Sequence, residues 1–141
     1  MRRASLLGLA ALALLSAGLG VWQLRESRWR GPLYCFAEPG QVWGVAPVPA
    51  GVTPTCPQSR SYRQEVRSGQ ARVEQYVVPG WQPRALIAPL EAGGYVALNG
   101  QEGLYRDADE FAALLNRGAE QIQYVADKLP GPQTLVTLSG R

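Results

Sequence analysis

Residues 107–126 read DADEFAALLNRGAEQIQYVA, and their periodicity decides the fold. Over residues 119–126, Ile122, Tyr124 and Ala126 alternate with mostly polar neighbours, the period of a strand with one buried face. The first half admits two periods. Phe111, Leu114 and Leu115 form a helical stripe, Asp107 and Glu110 have capping-box spacing, and Gly118 stops the run. Helix is the reading adopted for residues 107–117, with strand as the alternative. The acidic residues Asp107, Asp109 and Glu110 then suit a helix N-terminus electrostatically and need no catalytic role.

Working outward, Pro130-Gly131-Pro132 turns the chain into a last strand at residues 134–138. Upstream, residues 95–98 and 101–105 bracket Asn99-Gly100, a strong hairpin signal. Residues 82–92 read as a short helix with Pro83 in its first turn and a stripe of Leu86, Ile87 and Leu90. Pro89 kinks it and Gly93-Gly94 follow its end. Residues 60–67 and 70–78 flank Ser68-Gly69 as another hairpin, with Glu65 opposite Arg72 and Arg63 opposite Glu74. Tyr62, Val66, Val73 and Val77 take the other face, so Arg60, Arg63, Arg67 and Arg72 read as a solvated strand face. The predicted order is ββαββαββ with a ferredoxin-like inner stretch, βαββαβ. It implies an α+β domain whose antiparallel sheet is covered on one face by two helices.

Residues 5–24 (SLLGLAALALLSAGLGVWQL) carry no charge over twenty positions, the length of a spanning helix. Arg2 and Arg3 precede the run; Trp22, Arg25, Arg28, Trp29 and Arg30 lie where a membrane interface is expected. An uncleaved anchor is the favoured reading, because apolar character runs past Ser16-Ala17-Gly18. A signal peptide cleaved near those small residues is the alternative. No cysteine follows the run as a lipoprotein requires. The domain organisation expected is an anchor or signal at 1–30, a Pro/Gly-rich loop region at 31–58 and an α+β domain at 59–141.

Cys35 and Cys56 are the only cysteines. An even pair behind an export-type segment reads as one disulfide, tying a loop that holds Pro39, Gly40, Gly44, Pro47, Pro49, Gly51 and Pro54. That places the domain outside the cytoplasm. The arginines after the run point the other way if the segment is retained, because positive flanks favour the cytoplasmic side.

Charge excludes one function class. Residues 1–30 hold five arginines and Glu26; residues 31–141 hold nine Lys and Arg against ten Asp and Glu. The basicity therefore flanks the hydrophobic run instead of covering the domain, and no nucleic-acid partner is expected. Histidine is absent, which removes Ser-His and Cys-His catalysis and the commonest metal ligand. With neither a CxxC pair nor a calcium-loop spacing, no metal or cofactor is expected.

Two resemblances touch short stretches. Trp22-Gln23-Leu24 followed by Trp29-Arg30 is similar to the end of the first membrane helix in the Surfeit-locus family of cytochrome oxidase assembly factors. Arg25 falls one place early, and residues 119–141 are too polar for that family's second membrane helix. A membrane helix before a βαββαβ module is similar in organisation to the sporulation-related repeat that binds peptidoglycan. The positions concerned are Tyr76-Val77-Val78, Leu86, Leu90, Gly94-Tyr95 and Leu104-Tyr105-Arg106. Asp107–Glu110 stands where that repeat has its next strand.

The function expected is a membrane-anchored or exported envelope protein whose non-catalytic domain docks on an envelope protein or glycan. Trp43, Trp81 and Tyr95 are the candidate interface aromatics, with core packing as the competing role. One alternative is an assembly or stability factor for a membrane complex such as a respiratory oxidase, acting through the helix. Another is a carboxylate-dependent envelope hydrolase, although Glu65, Glu74 and Glu102 show no catalytic spacing.

Overall fold

The computed structural model describes residues 2–98 and 103–140, with side chains from residue 16 onward. It divides into two units, Met1–Gly31 and Pro32–Arg141. The first is one helix, α1 (Arg2–Arg30), with Arg28 and Arg30 in its last turn, where the helix dipole favours cations. Among the described residues no helix is long and apolar enough to cross a membrane. Side chains 5–15, half of the uncharged run, lie outside that description.

The second unit is α+β, as expected, and all its strand pairs are antiparallel. Its elements are β1 (Gln41–Val42), β2 (Ala46–Pro47), β3 (Thr53–Thr55), α2 (Arg60–Arg67), β4 (Arg72–Pro79), α3 (Ile87–Ala92), β5 (Val96–Ala97), β6 (Leu104–Tyr105), β7 (Glu110–Arg117), β8 (Glu120–Leu129) and β9 (Gln133–Gly140). β1 and β2 pair alone. The main sheet runs β3-β4-β9-β8-β7, with β5 and β6 both on the far edge of β7.

Two predicted elements exchange identity. Residues 107–117 form no helix; they supply strand β7, in which Phe111, Ala113 and Leu115 are buried alternately while Leu114 faces outward. The Asp107 side chain caps a turn: its Oδ1 accepts the Asp109 N–H at 2.7 Å. Cross-strand partners on both sides of β7 outweigh the local helical signals. Residues 60–67 are helix α2, not a strand, so the predicted Glu65–Arg72 and Arg63–Glu74 pairs do not form. Ser68-Gly69 ends this helix instead of turning a hairpin: Gly69 N donates to Val66 O and Gln70 N to Glu65 O. Those two bonds are the helix-ending pattern that wants a left-handed residue, and Gly69 sits at φ +75° without a Cβ to clash.

Other readings shift more modestly. The helix expected at 82–92 shortens to α3, after turns that absorb Pro83. Asn99-Gly100 lies outside the described residues, and β5 and β6 do not pair with each other. From Ala97 to Leu104 the edge advances seven residues while β7 advances three, from Leu115 to Ala112. Four extra residues therefore interrupt this edge. The ββαββαββ order and its ferredoxin-like core are not the order observed.

The buried face of the sheet is laid down in rows. Tyr76, Val136, Ala126 and Phe111 are successive partners across β4, β9, β8 and β7; Glu74, Leu138, Tyr124 and Ala113 form the next row. On β4 this face carries Glu74, Tyr76 and Val78, the opposite parity from the one expected, although Val73, expected on the apolar face, is buried as well. The two-helix cover is replaced largely by irregular chain. Phe36 meets Tyr76 edge-on at 5.4 Å, Tyr124 Oη donates to Pro83 O at 2.7 Å, and Leu86, Ile87 and Leu90 are buried. α2 buries no residue. Residues 32–58 belong to the same compact unit as the sheet, and Tyr34, Phe36, Val42 and Trp43 are core residues.

At the end of the β7–β8 hairpin, Glu110 and Asp127 are direct partners, two acids across adjacent strands. Burial first, then Glu110, holds the Asp127 carboxyl above its ordinary value of 3.8, with Arg106 opposing. A carboxyl with a raised folded pKa binds its proton more tightly when folded, so its ionised form weakens the fold above that pKa. Asp127→Asn is therefore expected to stabilise at pH 7 by about 0.2–1 kcal/mol. Thermal melts should show the gain shrinking as pH falls through the raised value towards 3.8.

Candidate functional site

Glu74 is the one fully enclosed acid among the described residues, at 2% exposure. Its Oε2 accepts the Trp43 backbone N–H at 2.8 Å and the Tyr76 hydroxyl at 2.6 Å, and its Oε1 lies 3.2 Å from Arg72 Nη2. The Arg72 guanidinium lies over the Trp43 ring, 3.8 Å from its centroid, and reaches Glu120 Oε1 at 3.8 Å. The Trp43 indole N–H donates to that same oxygen at 3.2 Å. Glu120 Oε2 meets Arg117 Nη2 at 2.9 Å, and Arg117 in turn stacks on Tyr95 at 4.6 Å. Charges therefore alternate, Arg117–Glu120–Arg72–Glu74, around a single tryptophan.

Local geometry explains the arrangement. Arg72 and Glu74 share a face two residues apart on β4, and Arg117 and Glu120 flank the Gly118-Ala119 turn joining β7 to β8. Trp43 has φ +53°, a left-handed conformation that non-glycine residues adopt at a cost of roughly 1–2 kcal/mol. Its ring passes over Gly140, where a Cβ would come within 3.1 Å of the ring and 2.7 Å of Gln121 O. Only glycine leaves that approach open.

Titration follows the packing. Glu120 is held below the usual carboxylate range, chiefly by the facing Tyr95 hydroxyl, then by Arg117 and Trp43, against the opposing effect of burial. The Tyr95 hydroxyl is pushed up to about 12 by burial first and Glu120 second. It faces that carboxylate without closing a hydrogen bond of good geometry. Burial, then Glu74, also raises Tyr76. Glu120 has a depressed folded pKa, so its contribution is present above 4.5 and is lost as pH falls through the folded value. Each acid of the cluster already faces a cation and hydrogen-bond donors. The arrangement is suited to holding Trp43 and less suited to abstracting a substrate proton.

The candidate aromatics separate. Trp43 and Tyr95 are buried and meet through Arg117 and Glu120, whereas Trp81 is half-buried in the turn after β4 and shares no described bond with them. Trp22, Arg25, Arg28, Trp29 and Arg30 lie on the last turns of α1, with Arg28 stacked on Trp29 at 5.2 Å. Cys35 and Cys56 are joined. Of the carboxylates considered for hydrolysis, Glu74 is enclosed, Glu65 is on α2 and Glu102 lies outside the described residues. Asp109 pairs with Lys128 and Glu110 with Arg106, each at 2.9 Å. Sequence reasoning missed Arg117 and Glu120. For Glu74, which the sequence placed on the solvated face, its parity with Tyr76 and Val78 was the available signal.

Glu74→Ala removes the acceptor from the Trp43 N–H, the Tyr76 hydroxyl and Arg72 together. Urea unfolding is expected to show a loss of about 3 kcal/mol or more. Glu74→Gln keeps an acceptor and should lose about half as much.

No family model matches the chain, no curated protein is significantly similar in sequence, and no solved structure is significantly similar in fold.

Proposed function

We propose that the chain is a membrane-tethered envelope protein whose compact unit lies outside the cytoplasm and docks on another envelope protein without catalysing a reaction. The Cys35–Cys56 disulfide carries the reading, because such bonds persist in oxidising compartments and are rare in the cytosol. The uncharged run at 5–24 supports the tether. So do Leu19, Val21, Trp22 and Leu24, large apolar side chains exposed on the described part of α1, which lipid would cover. The commitment of Glu74 and Glu120 to cations supports a non-catalytic role.

The sheet edge supports docking. Leu104 and Tyr105 are 64% and 60% exposed, and Val96 is also open, all on strands that end the sheet. Beside them a cavity of about 320 Å³ is lined by Leu98, Leu104, Ala112, Leu114 and Gln123. An apolar sheet edge is the kind of surface to which an extended segment of a partner protein adds as a strand.

Two measurements on native membranes test the reading. Intact mass should give a full-length chain two hydrogens light, restored by reductant; free thiols in freshly quenched membranes would put the unit in the cytoplasm. A photo-crosslinking residue at Tyr105 should form a discrete protein adduct, whereas the same residue at exposed Gln133 should not. Equal labelling at both positions would remove the edge as the docking surface.

A further inference from the structure

We infer that α2 lies against the anionic phospholipid headgroups of the membrane that holds α1, an inference that rests on the tether proposed above. α2 carries three arginines and one acid, Glu65. Arg60, Arg63 and Arg67 recur at helical spacing, so they share one face. Arg60 and Arg67 are exposed; Arg63 is half-buried with its guanidinium 4.3 Å over the Tyr34 ring. Tyr62, at 42% exposure, adds an aromatic of the type that settles at headgroup level.

Covalent attachment points the same way. Tyr34, which receives Arg63, also donates its hydroxyl to Pro57 O at 2.8 Å, and the neighbouring Cys35–Cys56 disulfide fixes the chain just before α2. Gly31, Pro32 and Leu33 alone separate Tyr34 from the last residue of α1, a reach of at most about 14 Å. A helix of net positive charge is therefore packed on a residue only four positions along the chain from the end of the tether. Held at that short range, it meets headgroups at high effective concentration. Opposite charge selects anionic lipid. The remainder of residues 31–141 is net negative, so the attraction is local to this helix.

The test uses the full chain in nanodiscs of phosphatidylcholine alone or with phosphatidylglycerol, reading amide hydrogen exchange across residues 59–69. Exchange is expected to slow by about fivefold or more in the anionic discs. The effect should vanish near 1 M salt, where the screening length is about 3 Å, and in R60Q/R67Q. Both substituted side chains are exposed, and an unchanged thermal melt verifies the fold. Chain that stays outside the discs overturns the tether and this inference together. Inserted chain with equal α2 exchange in both lipids overturns the inference alone, as does protection indifferent to lipid charge and salt.

Discussion

A carboxylate removed from water must be met on all sides, and Glu74 imposes that requirement on everything around it. Desolvating such a charge costs several kcal/mol unless cations and donors replace the lost water. One donor is the Trp43 main-chain N–H, which reaches Glu74 with the Trp43 backbone in its left-handed conformation. The cation is Arg72, whose remaining capacity is shared with Trp43 and Glu120. A single buried acid thus joins the small β1–β2 ribbon, the first strand of the long ladder and the β7–β8 turn. Partial satisfaction would be worse than an apolar residue in the same place, which makes the cluster an all-or-none lock.

The layer pinned by this lock has little regular structure of its own. Segments 34–46 and 82–95 deliver Tyr34, Phe36, Trp43, Leu86 and Leu90 to the core from turns, two-residue strands and the six-residue helix α3. Such segments lose more conformational freedom on folding than their few backbone hydrogen bonds return. Three kinds of fastening compensate: the disulfide at one side, Glu74 in the middle, and Tyr124 with Thr134 at the other. Tyr124 binds Pro83 O, and Thr134 Oγ1 donates to Gly80 O while accepting the Gln82 N–H.

Legibility in the sequence followed how local each signal was. β8 was readable because Ile122, Tyr124 and Ala126 alternate without a competing period, and the β8–β9 turn because Pro130-Gly131-Pro132 has few other uses. The disulfide was readable from an even pair of cysteines behind an export-type segment. The misreadings arose where one residue serves two structures. Gly69 suits a hairpin and a helix end equally, since both need positive φ, so 60–67 was legible only with knowledge that β4 pairs with β3 and β9. Phe111, Leu114 and Leu115 satisfy a helical stripe, while Phe111, Ala113 and Leu115 satisfy a strand; partners on both sides of β7 decide between them. Of the central cluster, the Arg117–Glu120 pair is local, but its tie to Trp43 spans 77 positions and leaves no trace in spacing. Glu74 was visible but assigned to the wrong face, because Val73 and Val77 pulled the expected parity with them.

The order in which the sheet becomes available has a consequence for synthesis. β9 lies between β4 and β8 in the sheet yet is made after both. Until residues 133–140 emerge, β4 lacks that neighbour and the row containing Glu74 is incomplete along one side. Long-range closure of this kind is slow compared with hairpin formation. A nascent chain built this way stays pliable until its C-terminal strand is in place and becomes rigid late.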